Sequence, residues 1–131
     1  MFHTLRMRTL AGMSTTNGAF ELIEDERDTG QGPAAHRHHG SDEAFYVLSG
    51  RFTFVCGDQE VEAAPGRLVF VPRGTRHFYR AQEQGSRVLI LYVPAGGFED
   101  FMLELDALIT QGLTSAEAMQ RVAGRYDSEP A

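Results

Sequence analysis

The sequence predicts an all-β sandwich or barrel with helices confined to its C-terminal end. Three observations predict it. Seven to nine short apolar runs follow one another up to Val93, turn residues separate them, and the apolar period becomes helical after Gly97. At 131 residues, 42% hydrophobic and 23% charged, the chain suits one globular domain and not a disordered or fibrous one.

Taken in order, Leu5 and Met7 alternate with Arg6 and Arg8, the pattern of a half-buried opening edge strand. Asn17-Gly18 is a strong hairpin signal, after which Glu21, Ile23 and Asp25 share one side of a second strand and Phe20 and Leu22 the other. ERDTGQGPAA has no period and reads as a loop leading to His36. EAFYVLSG, RFTFVCG, QEVEAAPG, RLVFVP, HFYRA and SRVLILYVP then read as strands, with turns at Ser49-Gly50, Gly57-Asp58 and PRGT. Val88 to Val93 is continuous enough to predict a fully buried strand.

Phe98, Phe101, Met102, Leu105, Leu108 and Ile109 form one helical stripe, ended by Gly112. Thr114 and Glu117 make a capping box for a second helix, on which Ala116, Met119, Val122 and Ala123 form a weaker apolar face. YDSEPA reads as a frayed tail. The division expected is a barrel over 1–96, helices packed on it over 97–126, and a tail over 127–131.

Composition narrows the function. A net charge of −6 argues against a nucleic-acid partner, since phosphate binding needs a basic face. All 12 basic residues are arginine, so neither a Schiff-base lysine nor a Walker lysine is available. The single cysteine, Cys56, excludes an intrachain disulfide and reads as a small core residue. No apolar run approaches the roughly 18 residues of a membrane span. A cytoplasmic protein without a membrane partner is expected.

The remaining signal is the histidines. In a strand, residues two apart share a face, so His36 and His38 can present both imidazoles to one ion while Arg37 and His39 point away. Glu43 opens the next strand, and His77 lies two hairpins on, where an antiparallel barrel can bring it back. His3 and His39 are read as non-ligands. Three imidazoles and a carboxylate suit one divalent transition ion, Fe, Mn, Ni, Co, Cu or Zn, and disfavour Ca or Mg. Phe45 and Val47 share the parity of Glu43, and Tyr79 that of His77, so these three are expected to line a substrate pocket.

These residues carry a family resemblance. Gly30, His36-x-His38, Glu43 and Gly50, over residues 30–50, resemble the first cupin motif; Gly66, Pro72-x-Gly74 and His77, within 66–81, resemble the second. Ala81 stands where the family usually has an asparagine that is not a ligand. The resemblance implies a double-stranded β-helix, the cupin jelly roll, with the ion inside one end of the barrel. Among cupins, the chain looks most like the quercetin-dioxygenase-like group.

That likeness implies a metal-dependent oxygenase acting, with O2, on a small enolisable or aromatic oxygenated substrate. Glu43 would be both ligand and catalytic base. The alternatives are a non-oxidative metal cupin, a cyclase or isomerase, and a non-catalytic small-molecule binding or sensing module. A homodimer is expected from the same resemblance, through outward sheet faces or the edge at Leu5 and Met7.

Overall fold

A computed structural model describes residues 6–122 and 125–131. Leu5, His3 and Ala123 lie outside them. Among the described residues, ten strands run as β1 (Met7–Ala11), β2 (Glu21–Arg27), β3 (His36–Arg37), β4 (Asp42–Ser49), β5 (Phe52–Cys56), β6 (Gln59–Ala63), β7 (Leu68–Val71), β8 (His77–Ala81), β9 (Ser86–Val93) and β10 (Glu129–Pro130). Three helices join them: α1 (Met13–Thr16), α2 (Phe98–Thr110) and α3 (Ser115–Val122). The strands form two five-stranded sheets, ordered β1-β2-β9-β4-β7 and β10-β3-β8-β5-β6, and every strand pair is antiparallel. This is the double-stranded β-helix.

The alternation of each strand decides what lies between the sheets. Phe45, Val47, Phe52, Phe54, Val71, Tyr79, Val88 and Ile90 turn inward and are almost completely buried. Phe45 packs on Phe54 and Tyr79 with ring centroids 4.9 and 5.3 Å apart. Such aromatic pairs add roughly 0.5–1.5 kcal/mol each beyond the area they bury. The inner side of β2 is the one bearing Glu21, Ile23 and Asp25, so two carboxylates enter the interior. Each is compensated. Asp25 accepts from the Tyr79 hydroxyl and from Arg27 Nε at 2.8 and 3.0 Å. Glu21 accepts from the backbone N–H groups of Gly96, Phe98 and Glu99 at 2.9 to 3.1 Å. Glu21 thus caps α2 from across the fold, because the residue at the cap position, Gly97, has no side chain to do so.

Gly50 ends the β4–β5 turn at φ 74°, and a Cβ there would lie 2.1 Å from Ser86 Oγ, so both conformation and space demand glycine. On α2, Phe101, Met102 and Leu105 are buried in the core, and the Thr114–Glu117 capping box forms with bonds of 3.0 and 3.1 Å.

Four expectations are corrected. β9 is not buried on both faces: Val88, Ile90 and Tyr92 are inside, while Leu89 and Leu91, on the outer face of its sheet, are half-buried and Val93 is exposed. Asn17-Gly18 does not make a two-residue hairpin; it terminates the single turn α1, with Asn17 in the left-handed region, before β2 pairs back on β1. The buried face of α3 is Ala118 and Val122 with Met119 half-buried, while Ala116 is exposed. Finally, the C-terminal residues are not frayed: β10 pairs with β3, setting Glu129 opposite Arg37 and Pro130 opposite His36.

Candidate metal centre

His36, His38, Glu43 and His77 come together at one end of the barrel. Each is buried, and one potential ligand atom from each lies within 4.8 Å of all the others. The two sheets share the task. His36 on β3 and His77 on β8 are direct cross-strand partners, with ring centroids 4.4 Å apart. Glu43 comes from β4 in the facing sheet. The PRGT turn joins the two motifs, since Gly74 N–H donates to the carbonyl of His38 at 2.6 Å.

The hydrogen bonds decide which ring nitrogen faces the centre. His36 Nδ1 is bonded to Ala34 O at 2.8 Å, His77 Nδ1 to Thr75 O at 2.9 Å, and His38 Nδ1 to Asp127 O. A carbonyl only accepts, so each Nδ1 carries a proton and each ring, when neutral, leaves a lone pair on Nε2. Glu43 Oε1 lies 2.8 Å from His77 Nε2 and 3.2 Å from His38 Nε2. These approaches lack hydrogen-bond geometry, and all three atoms are buried without a hydrogen-bond partner. Lone pairs and a carboxylate facing one another without donors are costly unless a cation sits among them. The donor set therefore fits a transition ion.

Without an ion, a proton on a histidine can take its place beside the carboxylate, and the electrostatics of the metal-free site reflect this. Burial, reinforced by any charge on His77, holds the His36 imidazole down at about 4, so it stays neutral. At His38 burial also opposes charge, but the Glu43 carboxylate and the Asp127 carbonyl outweigh it and raise the value. Burial would raise Glu43, yet the two histidines beside it hold its carboxyl far below the usual range.

The residues expected to line a pocket are placed as follows. Phe45 lies beside His77, with ring centroids 6.1 Å apart, and is fully buried. Val47 is deeper in the same core. Tyr79 is 3% exposed and gives its single O–H to Asp25. Cys56, the cross-strand partner of His77, is half-buried at the rim of the core, and burial pushes its thiol up.

Sequence reasoning missed two residues at the centre. Tyr92 is the cross-strand partner of Glu43, meets His38 edge-on at 5.4 Å, and stacks on Phe98 at 4.4 Å. Burial and the Glu43 charge hold its hydroxyl well above the usual phenol range. Its parity with Val88 and Ile90 was a usable signal. For Asp127 there was none, because its contacts are all long-range.

Residues 24–94 match the cupin domain family. The chain is 33% identical over 98 residues, 75% of its length, to quercetin 2,3-dioxygenase of Bacillus subtilis, of which it spans only 29%. Among solved structures it is similar to KdgF from Halomonas sp., with a TM-score of 0.62 and 24% identity over 67% of this chain and 76% of that one. It is likewise similar to the polyketide cyclase RemF from Streptomyces resistomycificus, with a TM-score of 0.58 and 28% identity over 66% and 63%. No described helix is long and apolar enough to cross a membrane. With more than half its length matching the family and the two motifs folded onto one buried cluster, the chain belongs to the cupin superfamily.

Proposed function

We propose that this protein is a mononuclear metal-dependent oxygenase that inserts both atoms of O2 into a small enolisable or aromatic oxygenated substrate. The supporting observation is the buried His36, His38, Glu43 and His77 cluster in a chain related to quercetin 2,3-dioxygenase. These four residues would hold the ion, which when bound supplies Lewis-acid polarisation of a substrate oxygen and, if redox-active, a path for electrons to O2.

The chain's own residues supply the rest. Glu43, whose Oε1 has no hydrogen-bond donor, is placed to take a proton from a substrate hydroxyl. The Nδ1 hydrogen bonds hold the three rings in one tautomer and orientation. Tyr92, Phe98 and Phe101 wall one side of the approach to His38. Substrate is the only partner this chemistry requires besides O2.

The test is oxygen uptake by protein reconstituted with each candidate metal in turn, presented with flavonols, diketones and catechols. Uptake with stoichiometric product is expected; none with any pairing overturns the oxygenase reading. A second reading, non-oxidative Lewis-acid chemistry, is favoured by the likeness to a polyketide cyclase. Turnover under strict anaerobiosis would establish it in place of the first.

We further propose that the chain works as a homodimer. Tyr46, Leu68 and Phe70 stand 42%, 59% and 58% exposed together on the outer face of β4 and β7, an apolar cluster that a second copy could cover. Light scattering at micromolar concentration should give twice the 14.5 kDa chain mass. A monomer would refute it.

A further inference from the structure

Two of the three histidines are oriented locally. His36 and His77 each donate from Nδ1 to the carbonyl two residues earlier, at 2.8 and 2.9 Å. His38 is different, because its acceptor, the carbonyl of Asp127, arrives from the C-terminal end of the chain. The same residue grips the backbone that follows His38. Its carboxylate accepts from His39 N–H at 2.7 Å and from Gly40 N–H at 2.9 and 3.0 Å. Beyond it β10 pairs with β3, the strand that carries His36, and Ala131 N–H donates to Ala35 O at 3.1 Å.

The segment also covers the approach to His38. Tyr126, Asp127 and Ser128 close a cavity whose other walls include His38, Tyr92 and Phe98. The cavity measures about 10 Å³, room for about one water molecule and for no organic substrate. A substrate that approaches His38 from this side needs the cavity to widen, and the C-terminal segment is one of its walls. Its strand is two residues long, and its ion pair between Glu129 and His39 is more than half exposed on both sides, where such pairs contribute little. Asp127 makes the most hydrogen bonds in it, beside Tyr126, whose hydroxyl donates to Glu104 at 2.7 Å.

We infer that residues 126–131 form a strap that completes the metal centre, with Asp127 as the positioning residue for His38, and that release of this strap opens the cavity to substrate. The inference rests on the metal-centre reading above. A histidine ligand that loses the acceptor on its far nitrogen loses both its tautomer and its orientation, which typically costs 10–100-fold in metal affinity. Docking of the strap and binding of the ion should therefore reinforce each other.

The test compares the unaltered protein with Asp127→Ala, Asp127→Asn, Glu129→Ala and a chain ending at Arg125. Co²⁺ is the probe, since its visible absorption reports ligand geometry. The shortened chain, which lacks the carbonyl that His38 Nδ1 donates to, is expected to bind Co²⁺ roughly 10–100-fold more weakly, and Asp127→Ala, which keeps that backbone carbonyl but loses the carboxylate that holds it in place, to bind more weakly in the same direction. They should also show an altered Co²⁺ spectrum, faster loss of the ion to a chelator and faster amide exchange at His39 and Gly40. Asp127→Asn, which keeps one acceptor oxygen, should fall between, and Glu129→Ala should match the unaltered protein. If Asp127→Ala is folded and binds and releases Co²⁺ like the unaltered protein, with an unchanged spectrum, the strap is merely structural and the inference fails. Should the shortened chain not fold, that comparison alone decides. No Co²⁺ uptake by the unaltered protein would instead overturn the metal centre itself.

Discussion

His36 and His77 face each other directly across the β3–β8 ladder, with ring centroids 4.4 Å apart and the Nδ1 of each turned back to its own chain. Glu43 reaches the same space from the opposite sheet, 2.8 Å from His77 Nε2. The centre is thus a clasp between the two sheets, and an ion within it would tie them together.

Metal binding should accordingly stabilise the fold. With free metal at 100 times its dissociation constant, a site absent from the unfolded chain adds about 2.7 kcal/mol. A thermal melt with and without metal should show this increment in the unaltered protein. It should be lost in His77→Ala and His38→Ala, whose metal content by elemental analysis should fall with it. Equal metal content in His38→Ala and the unaltered protein would contradict the assignment of His38.

The metal-free protein should lose stability in mild acid. Burial holds His36 at about 4, below its ordinary 6.5, so between those values the unfolded chain binds the proton and the folded chain does not. That contribution is whole above 6.5 and fades as pH falls towards 4, by up to about 3 kcal/mol. Glu43, also depressed, adds loss in the same direction at lower pH. The raised value of His38 acts oppositely, contributing below 6.5 and fading as pH rises through its folded value. Chelator-treated His36→Asn should show a shallower fall than the unaltered protein in denaturant titrations from pH 7 to pH 4. An equal slope would reject the assignment.

Glu21→Ala should destabilise the fold by about 1–3 kcal/mol, since it strips the acceptor from three backbone donors at the start of α2. Urea midpoints measure it, and Glu21→Gln should recover part. A loss below about 0.5 kcal/mol would mean that water replaces the carboxylate freely.

Tyr79→Phe removes the hydroxyl that Asp25 accepts from, deep in the core. The expected cost is about 1–3 kcal/mol of stability with metal content unchanged. Unaltered stability, with altered substrate affinity, would support the pocket role that its parity with His77 suggests.

The strand alternation and the spacing of the two motifs were enough to predict an all-β fold and to group His36, His38, Glu43 and His77. A period of two reports which side chains share a face, and ligand types at fixed spacing report chemistry. Period does not report which face is covered. The run Val88 to Val93 looked buried on both sides, yet Leu89, Leu91 and Val93 lie on an open sheet surface. Nor does it show that the acidic side of β2 would be the inner one, because Glu21 and Asp25 are tolerated inside only through partners distant in sequence.

What the sequence determined by itself was therefore local: strands, turns, the capping box at Thr114 and the ligand types with their parity. What only the tertiary structure decided was every pairing between distant segments. The polar C-terminal stretch has too few apolar residues to announce a docked element, and its place is set by backbone donors at His39 and Gly40 that meet Asp127 only once the barrel has closed. Local propensity is written in neighbouring residues, whereas the satisfaction of a buried hydrogen-bonding group depends on what the fold brings to it.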